Sequence, residues 1–112
     1  MAEAASAVLD TKFLKALSDP TRVEILKKLI NVGACDISTI AQGLSQDRSV
    51  ISRHLATLER AHICASTKQG RHVLYDLDGP YIVAKVQSIL DAIAAMAELC
   101  QPFSDLPQSG AA

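Results

Sequence analysis

Apolar residues recur at helical spacing in five stretches of the chain. Phe13, Leu14 and Leu17 mark a short helix over about 9–17. SDPTR then restarts the chain: Asp19 suits an N-cap, and Pro20 suits the first helical position, where its missing N–H would have no partner anyway. This second helix runs to about Asn31 with Val23, Leu26, Leu29 and Ile30 inward, and Gly33 lies past its end. Asp36 is the expected N-cap of a short third helix, ISTIAQGL, and the turn LSQD leads into a fourth over about 48–61. The fifth starts near Pro80 and reaches about Gln101. Between the last two, HICASTKQGRHVLYDL alternates and carries several β-branched residues. It predicts a hairpin of two strands of about five residues each, turning at KQGR.

The fourth helix contains VISRHLATLE, with a serine, an arginine and a histidine set among its apolar residues. On a wheel advancing ~100° per residue, Leu55, Leu58 and His62 fall within about 40° of Ile51 and form the expected buried stripe. Ser49, Arg53, Ala56 and Arg60 fall opposite, with Ser52 at the edge of that face. His54 lies beside the apolar stripe, which predicts a wall residue hydrogen-bonded within the domain rather than a base reader.

A short helix, a tight turn and a longer helix make a helix-turn-helix, and a basic hairpin after it makes a wing. The expected fold is therefore mainly α with a small β-hairpin, a winged helix-turn-helix in the order α-α-α-α-β-β-α. Residues 9–102 are expected to form one winged-helix domain, between a flexible N-terminus, 1–8, and a flexible tail, 103–112.

Composition agrees with a helical core. Of 112 residues 49 % are apolar, which excludes a disordered chain, and two Tyr, two Phe and no Trp leave the core to Leu, Ile, Val and Ala. No run approaches the ~18 apolar residues of a membrane span. MAEAASAVLD lacks a basic region before an apolar core, and three scattered cysteines make no disulfide framework. The cytoplasm is the expected compartment, with no membrane partner.

Net charge is −1, but its distribution is uneven. Residues 48–72 carry Arg48, Arg53, Arg60, Lys68 and Arg71 against Glu59 alone, whereas 77–112 carry Lys85 against four acids. A basic segment reads either as a solvated face or as a surface for a polyanion. The face of the fourth helix is small, polar and basic, as a helix entering a DNA major groove requires. Serines can bond base edges or phosphates, Arg53 can bond guanine through a two-pronged fork, and Lys68 and Arg71 can reach flanking phosphates.

LKALSDPTRVEILKKL, LSQDRSVISRHLATLERAHI and KQGRHVLYDL together resemble the ArsR/SmtB family of dimeric winged-helix repressors, in the family's order over most of residues 14–77. The resemblance implies a homodimer, two recognition helices on a palindromic double-stranded DNA operator, and release when an inducer binds. By position Ser49, Ser52 and Arg53 match the family's base-facing residues, and Lys68, Gly70 and Arg71 its wing. The candidate DNA-binding set is Gln46, Arg48, Ser49, Ser52, Arg53, Lys68 and Arg71. Two departures bear on the inducer. Many arsenic or cadmium sensors of the family place a Cys-x-Cys pair at the start of the third helix; here GACDISTI has Cys35 alone. Its zinc and nickel sensors carry histidines on the last helix; YIVAKVQSILDAIAAMAELC has none. Neither metal site carries over, and no metal or other cofactor is assigned.

On the last helix Val86, Ile89, Ile93, Met96 and Cys100 step by 3, 4, 3 and 4, the spacing of a seam with a partner helix. Val86, Ile89, Ile93 and Met96 are the candidate dimer interface; packing on the chain's own domain is the alternative. Cys35 precedes a helix N-terminus, where the dipole lowers a thiol pKa, and is the candidate reactive thiolate. Some relatives sense persulfides or oxidants through one cysteine near the second helix and one on the last. Cys35 and Cys100 are the corresponding candidate sensor thiols, although Cys35 lies several residues later than that match. Arsenite held by Cys35, Cys64 and Cys100 is a second possibility, because soft thiolates suit soft ions. Cys100 and Cys64 also read as structural, Cys100 as a small buried apolar residue and Cys64 beside Ile63 in a strand. His62, Cys64 and His72 could form a metal site on paper only.

Two rivals stand against a DNA-binding repressor. One is a winged helix used only for protein contacts. The other, an enzyme, finds no glycine-rich phosphate loop, nucleophile–base pair or paired carboxylates in the sequence.

Overall fold

The computed structural model describes residues 11–99, so Cys100 and the two expected flexible ends lie outside the described residues. Among the described residues, five helices and one hairpin follow one another: α1 (Thr11–Leu17), α2 (Pro20–Val32), α3 (Ile37–Ala41), α4 (Arg48–Arg60), β1 (Cys64–Gln69), β2 (His72–Leu77) and α5 (Gly79–Leu99). The order is the one the apolar spacing predicts.

Local chemistry sets each boundary. Asp19 caps α2, its carboxylate accepting from the backbone N–H groups of Thr21 at 2.8 Å and Arg22 at 3.2 Å, with Pro20 just inside. Such a cap is worth about 1 kcal/mol. Asp36 caps α3 in the same way, accepting from the Thr39 N–H and hydroxyl, both at 2.9 Å. The third helix is shorter than expected and ends at Ala41, because Gly43 turns the chain with φ +85°.

The end of α4 corrects the helical wheel. His62 is exposed and lies outside the helix in the left-handed region at φ 62°. There His62 N–H donates to Glu59 C=O and Ile63 N–H to Leu58 C=O, the paired bonds of a Schellman ending. The chain has already reversed at that point, so a wheel no longer applies; Ala61, Ile63 and Cys64 are the buried residues there.

β1 and β2 pair antiparallel from Cys64↔Leu77 to Gln69↔His72. Gly70, at φ 62°, takes the first of the two turn positions, where a hairpin twisted like its strands needs a positive φ. Cys35 extends this sheet on its other side: it pairs with Tyr75, donating to its carbonyl at 3.1 Å and accepting from its N–H at 2.8 Å. The strands are six residues long rather than about five.

The core lies under α4 and the sheet. Phe13 and Ala16 of α1, Ile25 and Leu29 of α2, Ile40 of α3, and Ile51, Leu55 and Leu58 of α4 are buried together with Ile63 and Cys64; Ile30, expected inward, is exposed, because the roll of α2 that buries Leu29 buries Ile25 one turn earlier. Each buried Leu or Ile contributes roughly 1.5–3 kcal/mol of transfer free energy. α5 joins this core through the half-buried Tyr81, Ile82 and Ile89. Among the described residues no helix is long and apolar enough to cross a membrane.

Candidate nucleic-acid interface

Burial of Ile51, Leu55 and Leu58 fixes the roll of α4 and so decides what its far face presents. Ser49, Ser52, Arg53 and Arg60 are exposed there, and Ala56 is half-buried. The side chains of Ser49, Ser52 and Arg53 take no hydrogen bond or ion pair among the described residues. Lys68 and Arg71 at the hairpin tip are likewise exposed and unpaired among those residues. The wing is tied back to α4 by Ser66, whose hydroxyl donates to the Glu59 carboxylate at 2.9 Å.

Gln46 and Arg48, the other two members of the expected set, are used inside the domain. Gln46 is half-buried and its amide donates to the Thr21 hydroxyl at 3.1 Å, tying the turn before α4 to the start of α2. Arg48 is exposed and donates to the Ser38 hydroxyl, bridging the first turn of α4 to α3. A guanidinium has five donors, so that bond leaves Arg48 able to contact a second group.

His54 is half-buried and hydrogen-bonded within the domain, as its place beside the apolar stripe predicts. Arg22 Nη1 lies 3.2 Å from His54 Nδ1. A guanidinium only donates, so Nδ1 is the acceptor and the imidazole proton sits on Nε2. The same Arg22 donates through Nε to the Ala16 carbonyl and through Nη2 to the Lys15 carbonyl, both at 2.8 Å. It thereby satisfies the Ala16 carbonyl at the end of α1, and shares the Lys15 carbonyl with Ser18, whose N–H and hydroxyl also donate to it. Sequence reasoning missed this role of Arg22. The available signal was its place in PTRV, directly before the inward Val23 on the polar–apolar border of α2.

The cysteines differ from expectation. Cys35 is buried in its pairing with Tyr75, and its thiol is pushed up, first by burial and then by the neighbouring Asp36 carboxylate. This corrects the expected low-pKa thiolate: Asp36, as N-cap, occupies the helix start that Cys35 was expected to exploit. Burial, followed by the charges of Glu59 and Asp76, pushes the Cys64 thiol up to about 12. No cluster of three metal-ligating side chains occurs among the described residues; His62 is directed to Tyr81, with ring centroids 5.4 Å apart, while His72 lies 3.7 Å from the Asp36 carboxylate.

The candidate dimer residues divide by face. Ile82, Lys85, Ile89 and Ala92 form the half-buried side of α5, so Ile89 packs on its own core rather than lying fully in an outer seam. Val86, Ile93 and Met96 are exposed, with Val83, Leu90 and Leu99 beside them, at between 44 % and 78 % of full exposure.

A family model for bacterial regulatory proteins of the arsR family matches residues 19–63, from the cap of α2 to the end of the turn after α4. The arsenical resistance operon repressor of Escherichia coli (strain K12) is 35 % identical over 86 residues, covering 77 % of this chain and 73 % of that protein. The HTH-type transcriptional regulator CmtR of Mycobacterium tuberculosis (strain ATCC 25618 / H37Rv) is 32 % identical, over 73 % of this chain and 69 % of its own length. Among solved structures, an ArsR-like transcriptional regulator from Rhodococcus sp. RHA1 matches with a TM-score of 0.76 and 27 % identity, covering 93 % of this chain and 96 % of that one.

Proposed function

The chain belongs to the arsR family of bacterial regulatory proteins and is a DNA-binding transcriptional repressor, not an enzyme; we propose that it acts in the cytoplasm as a homodimer on a palindromic operator. The observation that carries this reading is the exposed polar face of α4, Ser49, Ser52 and Arg53, together with Lys68 and Arg71 of the wing, all five side chains unpaired among the described residues. In this reading Ser52 and Arg53 meet base edges, Ser49 meets a base or a phosphate, and Gln46, Arg48, Lys68 and Arg71 set the register on the phosphates. The exposed apolar side of α5, with Val86, Ile93 and Met96 and the outer edge of Ile89, meets its symmetry mate. Two-fold symmetry then asks for two half-sites separated by about one turn of B-DNA or a multiple of it.

The test is selection from a random pool of duplexes, followed by binding of the selected duplex across a salt series. An inverted repeat, bound with an affinity that falls steeply as salt rises, supports the reading, because phosphate contacts release counterions. Absence of binding even at low salt leaves the winged helix as a protein-contact module and overturns it.

Release by an inducer belongs to the same proposal, with a persulfide, an oxidant or arsenite as the class. The similarity to a repressor of arsenical resistance bears on the last of these. Such a molecule meets Cys35 and Cys64 as buried thiols rather than thiolates, so sensing through Cys35 requires local opening of its pairing with Tyr75. Mass spectrometry with polysulfide or arsenite decides it. Modification of Cys35 or Cys100 with loss of operator binding supports thiol sensing, and an unmodified protein with unchanged affinity ends it.

A further inference from the structure

One guanidinium joins the end of α1, the start of α2 and the middle of the recognition helix. Arg22 grows from the first turn of α2, holds the Ala16 and Lys15 carbonyls with two of its arms, and gives the third to His54. Its own backbone is fixed from below, because its N–H donates to the capping carboxylate of Asp19. His54 is the next residue after Arg53 and lies one turn before Leu58, so its ring borders both the reading face and the buried stripe.

We propose that Arg22, acting through His54, is a positioning residue for operator binding: it fixes α4 relative to α1, and so sets how the reading face is presented. The proposal rests on the DNA-binding reading above. It needs His54 to be a hydrogen-bond acceptor at Nδ1. A proton placed on Nδ1 removes that acceptor and sets a cationic ring against a guanidinium that cannot deprotonate. The charged groups facing His54 are Arg22 of α2 and the Asp19 carboxylate at the cap of that helix. Asp19 attracts a protonated ring while Arg22 repels it, and Asp19 is already held by two backbone N–H groups. From α1 the Ala16 and Lys15 carbonyl oxygens meet this cluster, and both accept from Arg22. Acid therefore exchanges a directional bond for a repulsion at the joint between the two helices, and operator affinity falls with it.

The experiment uses the full chain and a duplex that the wild-type protein has selected from a random pool. Operator affinity is measured from pH 8 to pH 5.5, a range in which histidine side chains change charge, for wild type, His54→Asn and His54→Leu. Asn places an amide oxygen near the position of Nδ1 and does not titrate. The expected result is near wild-type affinity at pH 8 for His54→Asn, about tenfold weaker binding for His54→Leu, and an acid decline in wild type that both variants lack. His62 and His72 are present in all three proteins, so the ratio of affinities isolates His54. Arg22→Gln adds no further loss in the His54→Leu background if the two side chains act as one link. Thermal unfolding is followed in parallel; should His54→Leu fail to fold, the pH profile of His54→Asn decides alone. Profiles parallel to wild type in the His54 variants, or independent losses from Arg22→Gln and His54→Leu, overturn the proposal. Wild-type protein that binds no duplex overturns both this link and the DNA-binding reading; wild type that binds, with His54 variants that match it at every pH, overturns the link alone.

Discussion

α4 and α5 are both amphipathic surfaces, and they fail to be complete in opposite ways. α4 buries Ile51, Leu55 and Leu58 fully and shows the outside Ser49, Ser52 and Arg53, whose side chains have no partner among the described residues. α5 has 21 residues, none of them buried, and shows Val83, Val86, Leu90, Ile93 and Met96. Water solvates the first face at no cost and leaves its donors available to a polyanion. The second face keeps apolar area in water, and at ~25 cal/mol per Å² that area favours another apolar surface. One helix is finished as a fold and unfinished as a recognition surface; the other is unfinished as a fold. DNA completes the first, and in the reading proposed above a symmetric partner completes the second.

The comparison breaks most visibly at α5. Ile93→Asp is expected to abolish the dimer, because each protomer would bury an unpaired carboxylate at a cost of about 3–5 kcal/mol. Sedimentation would show a folded monomer, and affinity for a palindrome would collapse while helicity stayed. A dimer that survives this substitution places the interface elsewhere. The mirror experiment on α4 attacks its inner face: Leu55→Ala should destabilise the domain by about 2–5 kcal/mol, read as a lowered denaturant midpoint at unchanged slope. The two substitutions should separate assembly from folding, since Ile93 is exposed and Leu55 is not.

The outer face of α4 sharpens the contrast at smaller scale. Arg53→Ala should cost about 1–3 kcal/mol of operator affinity and relax the preference at one base pair, leaving stability alone. Lys68→Ala should weaken all duplexes alike and lower the slope of log affinity against log salt by about 1. Equal effects of both on every sequence would mean that Arg53 contacts phosphate rather than a base.

How much of this was legible from the chain follows the same division. The order of elements and the roll of α4 were legible because apolar spacing at Ile51, Leu55 and Leu58 has a single burial solution. The helix starts at Asp19 and Asp36 were legible because capping is local chemistry. His62 was misplaced because a wheel assumes that the helix continues, and the left-handed turn after Arg60 depends on Ile63 finding the core. Cys35 was misread for a related reason. Its exposure is set by Tyr75, forty residues downstream, and no local pattern announces that pairing. The family's base-facing positions came through resemblance, whereas the internal use of Gln46 by Thr21 and of Arg48 by Ser38 became visible only with the helices in place.

The smallest expected effect tests the joint between the two halves of the reading surface. Asp36 caps α3, accepts twice from Thr39, and lies 3.7 Å from His72 of the wing. Its carboxyl is held below the ordinary value of 3.8, first by the Thr39 N–H and then by the Thr39 hydroxyl, with His72 and Arg48 adding attraction. A carboxyl whose folded-state pKa lies below its unfolded one binds more protons unfolded than folded. Its contribution is therefore present above the unfolded value, and is lost as pH falls through that value and then through the folded one. Asp36→Asn keeps a capping oxygen but has no charge to lose. The wild type should be the more stable of the two at neutral pH, and the difference should shrink as pH falls below about 4, the ordinary aspartate range. Denaturant midpoints of the two proteins across that range give the answer. A gap that stays constant into acid would mean that the Asp36 carboxylate acts through shape alone, and that the attraction between the wing and the start of α3 contributes nothing to holding the hairpin beside α4.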